Sequence, residues 1–325
     1  MSSSIQNPNL VGALSAMAAM VCFSLNDVAI KFLSDSYALH QVVIIRALIG
    51  SAVLLGIAVP LMGGFKTLRT KRPGLHLLRG LCVVFANMTF FLGLAAMPLA
   101  EGVAIFFVSP LLITVFSVLF LKEHVGIRRW GSVLVGLLGV MIVLRPGTEA
   151  FQLAALLPLA AATGYATLHM LTRHIGTADS AQAMTFYIQL TFVMVSGAMG
   201  LAVGQGQFGA QSDPSLEFLF RAWTWPDPRD WWIMAGLGLA STAGGFFISQ
   251  AYRVAEAALV APFEYVAMPM AVLGGYLVFG ELPDATAVAG IALILGAGLY
   301  MIWRDTQTAS PRGKGAGAKA TRYRR

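Results

Sequence analysis

Ten long apolar runs follow one another along the chain. A helix that crosses a bilayer needs roughly 20 largely apolar residues, and each run approaches that length. Leu111–Leu121 and Val133–Leu144 are almost solidly apolar, whereas the strands of a membrane β-barrel alternate apolar and polar residues. The pattern therefore predicts membrane-spanning helices. The predicted spans are 10–33, 40–62, 75–97, 100–121, 127–145, 152–173, 181–203, 231–253, 256–279 and 285–303.

The composition supports this interpretation. Of the 325 residues, 57% are hydrophobic and 11% are charged, whereas soluble domains carry about 25% charged residues. With two cysteines, the chain also lacks the disulfide framework of a small secreted scaffold. The composition excludes a water-soluble protein. It predicts an all-α integral membrane protein with ten transmembrane helices, with the lipid bilayer as a partner.

The net charge of +7 is distributed in short clusters between the apolar runs. These clusters do not form a folded basic face with interleaved aromatic residues, so nucleic acid is not expected as a partner. Most loop lysines and arginines fall on the same side as the N-terminus, and cytoplasmic loops are the ones enriched in these residues. We therefore predict that both termini are cytoplasmic and that the long loop from Gln205 to Asp230 lies outside. The chain should end in a disordered basic tail over 305–325.

An internal repeat relates the two halves of the chain. In each half, an Ala-Glu pair is followed by a mid-helix proline, a glutamate at the end of the helix and a helix with spaced glycines. Each half then holds five spans, and an odd number inverts the second half relative to the first. Inverted repeats place a binding site near the middle of the bilayer. We predict two inverted five-helix repeats over 10–145 and 150–304. The repeated residues are Ala100, Glu101, Pro110, Glu123, Ala255, Glu256, Pro269 and Glu281.

These features resemble the drug/metabolite transporter superfamily in its ten-helix EamA-type branch. The resemblance covers about residues 10 to 304 and includes Phe107-Val108-Ser109-Pro110 and Phe120-Leu121-Lys122-Glu123. Within the branch, the chain is most similar to bacterial riboflavin and S-adenosylmethionine carriers. The stretches that carry this similarity are Lys31-Phe32-Leu33, Arg46 and Arg128-Arg129-Trp130.

The resemblance implies a secondary transporter of a small organic metabolite that works by alternating access in the bacterial inner membrane. Uptake of riboflavin, or of a similar flat heteroaromatic vitamin, is the leading expectation. Export of amino acids or related metabolites and carriage of S-adenosylmethionine are the alternatives. A membrane scaffold or an intramembrane enzyme is the remote one. The protein is expected to be a monomer or a homodimer.

Motifs of enzymes and of ATP-driven pumps are missing from the sequence. There is no GxxxxGK[ST] loop, no HExxH, no Cys/His metal set and no GxSxG. These are signatures of nucleotide, zinc and serine-hydrolase chemistry. We therefore expect no enzymatic activity, no cofactor and no metal.

Charged residues inside the spans are the first candidates for a transport pathway, because each costs about 2.5–3.5 kcal/mol on insertion scales. Asp27 and Lys31 share one face of the first span, and Arg46 falls at a similar depth in the second. These three form either a polar cluster at the outer mouth of the pathway or a structural triad between two helices. Glu264, beside Tyr265 and near the middle of the ninth span, is either a protonated acid, a substrate contact or the site of a coupling proton or ion.

Several uncharged polar residues also fall in the middle of spans. A flat small-molecule substrate could stack on aromatic rings and be held by such groups, since ligand sites combine apolar walls with a few polar side chains. Alternatively, each one makes an interhelical hydrogen bond, worth on average about 0.6 kcal/mol. These candidates are Asn26, Asn87, Tyr165, His169, Tyr187, Gln189, Ser241, Thr242 and Gln250.

Overall fold

The structure is a computed structural model that describes residues 8–121, 126–146, 153–175, 179–209, 211–254 and 263–308. Within these ranges all regular structure is helical, which confirms the predicted all-α membrane fold. The predicted basic tail from residue 309 onward lies outside the described residues. The repeat residues Glu123, Ala255 and Glu256 also lie outside them.

Seven segments of the described chain are long and apolar enough to cross a membrane. Three shorter apolar helices stand where the fifth, ninth and tenth spans are predicted, and the exact number of ten spans stays a prediction. In chain order the helices are α1 (Pro8–Leu33), α2 (Leu39–Leu61), α3 (Pro73–Ala95), α4 (Leu99–Phe106), α5 (Ser109–Leu121), α6 (Ile127–Leu144), α7 (Leu156–Ile175), α8 (Ala181–Val203), α9 (Pro214–Phe220), α10 (Asp230–Val254), α11 (Ala267–Phe279) and α12 (Ala285–Thr308).

Proline residues shape two of these helices. Pro60 has no N–H group and its ring displaces the carbonyl one turn earlier, and α2 widens into a π-helical turn over Leu54–Ala58. Pro110 lies in the first turn of α5, where a missing N–H is tolerated. The span predicted as continuous over 100–121 is therefore divided into α4 and α5 around Phe107.

The most extensive contacts between helices join the two predicted halves of the chain. α1 packs along α10, α3 along α7, α2 along α8 and α6 along α12. In the last pair the backbones touch, since a Cβ atom on Gly139 would lie 2.8 Å from the backbone oxygen of Gly290. Close approach at small residues is a common way for membrane helices to associate. Packing within the chain therefore accounts for these glycines.

Gly139→Ala is expected to destabilise the protein by about 1–3 kcal/mol, because the added methyl group overpacks the contact between α6 and α12. The same change at Gly131, on the same helix, meets nothing within 4 Å. There it should be neutral or stabilising, since alanine is the better helix former. Thermal unfolding of the two purified variants in one detergent compares them directly. Equal midpoints would contradict the close contact.

Candidate functional site

A cavity of about 190 Å³ lies at the centre of the bundle, between α1, α2, α3, α4, α7, α8, α10 and the turn that precedes α11. Aromatic rings form much of its wall, and charged and amide side chains interrupt them. Apolar walls with a few polar groups are typical of small-molecule sites. The rings include Phe23, Phe90, Phe106, Phe107, Tyr165 and Phe192.

Most of the residues predicted to line a pathway meet in this one cavity. They come from both predicted halves of the chain and are far apart in sequence. Those that line it are Asn26, Asp27, Arg46, Asn87, Tyr165, His169, Gln189, Ser241 and Glu264. The structure thus brings them together, while their part in transport stays a prediction.

Arg46 organises one group of polar residues, called the Arg46 cluster below: Arg46, Asn26, Asp27 and Asn87. Arg46 is 3% exposed and donates from Nη1 to Asn26 Oδ1 at 2.9 Å and from Nη2 to Asn87 Oδ1. Its guanidinium lies 4.9 Å from the ring centre of Phe192. Asn26 Nδ2 in turn donates to Asp27 Oδ1 at 3.3 Å. The cluster joins α1, α2 and α3 on the cavity wall.

A second polar contact joins α8 and α10 beside this cluster. Gln189 Nε2 donates to Thr242 Oγ1 at 2.6 Å. Thr242 stands behind the wall rather than in it, and is 6% exposed. A Cβ atom on Gly50 would collide with both side chains. The absence of a side chain at this position of α2 therefore makes room for the contact.

A third group, the Glu264 cluster, consists of Glu264, Tyr252, His169 and Tyr165. Glu264 is 4% exposed and accepts a hydrogen bond from the Tyr252 hydroxyl. The ring centre of His169 lies 4.3 Å from that of Tyr165 and 4.7 Å from that of Tyr252. A carboxylate inside a membrane bundle requires a proton, a cation or hydrogen bonds to compensate it. Tyrosine therefore supplies part of that compensation.

Arg79 also lines the cavity, although it is not among the site residues predicted from the sequence. It is 4% exposed, and it donates from Nε to Thr172 Oγ1 at 2.8 Å and from Nη1 to the Met184 carbonyl at 3.1 Å. Because α3 begins at Pro73, Arg79 lies well inside the helix. The cost of inserting a charge into a membrane applies to it as it does to Glu264, and that signal could have identified it.

Lys31 forms its contacts with residues other than Asp27 and Arg46, with which the sequence groups it. Its Nζ donates to both carboxylate oxygens of Glu281 at 2.9 Å. Glu281 also accepts from the backbone N–H of Leu99 at 3.1 Å. This contact joins α1, α4 and the residues that follow α11. A role for Lys31 in the pathway stays a prediction.

Tyr187, Gln250 and Tyr265 are also absent from the described wall of the cavity. The Tyr187 ring stacks on His76 at 4.9 Å between centres. Tyr265 is 5% exposed, and its ring packs against Phe107 at 5.3 Å. Absence from this wall does not decide their part in the pathway, which stays a prediction.

An exposed ion pair joins the segments that follow α6 and precede α12. Arg145 donates to Asp284, which also caps α12 by accepting from the Ala287 N–H at 2.8 Å. The Arg145 guanidinium, followed by the Ala287 amide, holds the pKa of the Asp284 carboxyl below its ordinary value. Its stabilising effect is therefore present above the ordinary pKa of aspartate and is lost as the pH falls through the lowered folded value. Exposure and salt keep this effect small.

The chain is similar to known membrane transporters along nearly its whole length. The sequence profile of the EamA-like transporter family matches residues 10–145. A riboflavin transporter of Vibrio cholerae is 30% identical, with coverage of 90% of this chain and 93% of that protein. An S-adenosylmethionine uptake transporter of Rickettsia prowazekii is 27% identical, with coverage of 91% and 94%. A solved crystal structure has a similar fold, with a TM-score of 0.65 and 20% identity over 92% of this chain and 99% of that chain.

Proposed function

Because the chain belongs to the EamA-like transporter family, we propose that it takes up a flat heteroaromatic metabolite, with riboflavin as the leading candidate. That it transports a small metabolite across a membrane follows from its relatives. The finer proposal is carried by one observation, the aromatic-walled cavity with amide and guanidinium groups in its wall. The similarity to the Vibrio cholerae riboflavin transporter supports it.

The wall chemistry suits a planar ring with polar edges. Arginine has donors but no acceptor, so the amide oxygens of Asn26 and Asn87 must face Arg46. The NH₂ group of Asn87, which lines the cavity, therefore remains a donor for a ring carbonyl. Phe106 and Tyr165, with ring centres 5.1 Å apart, offer surfaces on which a flat ring can stack.

Transport by alternating access is proposed to use two inverted repeats, 10–145 and 150–304. Inverted repeats rock about a site between them. The helix pairs support this arrangement: exchanging the predicted halves converts the pair of first and eighth spans, α1 and α10, into the pair of sixth and third spans, α7 and α3. Both pairs are extensive. The cavity walls come from both halves, as a site between repeats requires.

Glu264 is the proposed site for a coupling proton. It lines the cavity beside aromatic groups, and its neutral form could accompany a neutral substrate through the membrane at lower electrostatic cost than its charged form. Its hydrogen bond from Tyr252 can be made in both protonation states, because a carboxyl oxygen accepts in either one. Proton binding would therefore change the charge of the cavity without removing this contact.

S-adenosylmethionine is the second candidate substrate. Two carboxylates, Asp27 and Glu264, line the cavity and could face a positively charged sulfonium group. The similarity to the Rickettsia prowazekii transporter supports this alternative. Its adenine ring would use the same aromatic wall.

The test is transport by the purified chain in proteoliposomes. Labelled riboflavin, S-adenosylmethionine and a panel of amino acids are offered with and without a proton gradient of either direction. We expect saturable riboflavin uptake that unlabelled flat heterocycles inhibit and amino acids do not. Transport of amino acids alone, or of no flat heterocycle, would overturn the substrate proposal.

Both termini are proposed to be cytoplasmic, in the inner membrane of a bacterium. The distribution of lysine and arginine between loops supports this orientation. Reporter fusions after residue 308 and in the loop between α8 and α10 should report opposite sides of the membrane, with the C-terminal fusion inside. Two reporters on the same side, or an external C-terminal reporter, would contradict it.

A further inference from the structure

Arg79 is a buried cation in the cavity wall, and its hydrogen-bond partners among the described residues are neutral. A threonine hydroxyl and a backbone carbonyl hold its guanidinium at 2.8 and 3.1 Å. Such acceptors orient the group without cancelling its charge. A charge in a membrane bundle is costly unless another group compensates it, so the guanidinium of Arg79 requires a negatively charged partner.

The two carboxylates in the described cavity wall do not compensate it by direct contact. Asp27 is hydrogen-bonded by Asn26 and belongs to the Arg46 cluster. Glu264 is hydrogen-bonded by Tyr252. Neither of these described carboxylates forms an ion pair with Arg79, whereas Arg46 has Asp27 within its own cluster.

The placement of Arg79 separates it from the other cavity arginine. Arg46 lies in the second turn of α2, whereas Arg79 lies in the second turn of α3. Because α3 follows α2 in the opposite direction, the two second turns lie toward opposite ends of the bundle. The cavity that both arginines line therefore runs between two cationic positions, with aromatic rings between them.

We infer that Arg79 forms a subsite for an oxyanion, either a carboxylate or a phosphate, on the metabolite that occupies the cavity. Nη2 has no hydrogen-bond partner among the described residues, and together with Nη1 it can take an oxyanion through two parallel hydrogen bonds. This fork geometry is what makes arginine a strong oxyanion ligand. Burial strengthens the attraction, because little water competes with the ligand.

This inference rests on the proposed function and narrows its substrate class. Riboflavin has no acidic group and would leave the subsite without an oxyanion. Of two ligands that differ only in an acidic group, the subsite should bind the acidic one more tightly. Riboflavin 5′-phosphate and riboflavin form a phosphate pair. Nicotinate and nicotinamide form a smaller carboxylate pair. The two pairs thus distinguish which oxyanion the subsite accepts.

Equilibrium binding of both pairs to the full-length protein in nanodiscs tests the inference. In the wild-type protein, the acidic member of at least one pair should bind about 10-fold or more tightly than its neutral partner, since hydrogen bonds to charged groups are the strong ones. Arg79→Gln should bring that ratio close to one. Arg79→Lys should keep a reduced preference, because it retains the charge but not the fork.

Arg69→Gln is the matched control, since Arg69 is an exposed arginine of the loop before α3 and its loss should leave the ratio unchanged. Circular dichroism confirms that each variant is folded. If Arg79→Gln does not fold, the wild-type ratios and Arg79→Lys decide the matter. A wild-type ratio near one for both pairs, including the case in which no acidic member binds, would overturn the subsite, as would a preference that Arg79→Gln retains. Because binding is measured without transport, a failure of the riboflavin uptake proposal is seen separately in the proteoliposome experiment.

Discussion

Glu264→Gln is expected to abolish proton-driven accumulation of substrate while leaving exchange of substrate across the membrane. Glutamine has the size of glutamate, and its amide oxygen can still accept the hydrogen bond from Tyr252. It cannot bind or release a proton at this position. If Glu264 carries the coupling proton, accumulation driven by a gradient should fall on the order of ten-fold or more, down to the level reached without a gradient, because the variant carries no proton with the substrate.

Two assays on the same proteoliposomes separate these effects. One measures accumulation of labelled substrate under a proton gradient, and the other measures exchange of labelled for unlabelled substrate without a gradient. Glu217→Gln is the matched control, because Glu217 lies on α9, its side chain is half-exposed and it pairs with Arg221 four residues later. Wild-type accumulation by Glu264→Gln across a range of pH would remove this residue from the coupling mechanism.

Arg46→Met is expected to destabilise the protein by about 3–5 kcal/mol, the loss typical of breaking a buried charged contact from one side. The amide oxygens of Asn26 and Asn87 both accept from Arg46, and each loses its donor in the variant. Asp27 also loses the cation of its cluster. Methionine fills much of the space of the apolar part of the arginine side chain. The expected destabilisation therefore comes from the lost polar contacts and not from a large cavity.

A second variant tests this explanation within the same cluster. Adding Asn87→Leu to Arg46→Met removes one orphaned amide, and replacing both partners of a hydrogen bond costs less than removing one. The double variant should therefore unfold at a higher temperature than Arg46→Met alone. Arg229→Met, at an exposed loop position, should leave the midpoint unchanged. A midpoint for Arg46→Met close to that of the wild type would show that the cluster is not structural.

The positions of the long helices could be predicted closely from hydropathy. The seventh span, predicted over 181–203, is observed as Ala181–Val203, and the eighth, predicted over 231–253, is Asp230–Val254. The thickness of the hydrocarbon core sets the length of such runs, and unpaired backbone groups are not tolerated there. The position of a spanning helix therefore depends on local hydropathy and can be predicted from the sequence alone. Hydropathy does not predict the break at Phe107, because it does not respond to the proline in the first turn of α5.

The cost of burying a charge in a membrane identifies several of the cavity residues from the sequence, but it was not applied to every charge inside a span. Asp27, Arg46 and Glu264 were singled out as charges inside spans, and all three line the cavity. Arg79 also lines the cavity, and it lies inside the third span predicted over 75–97, but it is not among the residues predicted from the sequence. The cost of burying a charge therefore applies to this arginine as well, although it was not used to identify it.

Hydropathy and the distribution of charge therefore establish that this chain is a helical membrane protein. They also identify which of its charged residues are costly to bury. They do so because transfer into lipid is an additive property of short stretches of chain. The pairing of polar side chains in the folded protein is not additive in this way. Lys31 contacts Glu281 from the far end of the sequence, while its helical neighbour Asp27 contacts Asn26. Which polar group meets which depends on how helices from both halves pack, and that is settled by contacts between segments far apart in the chain.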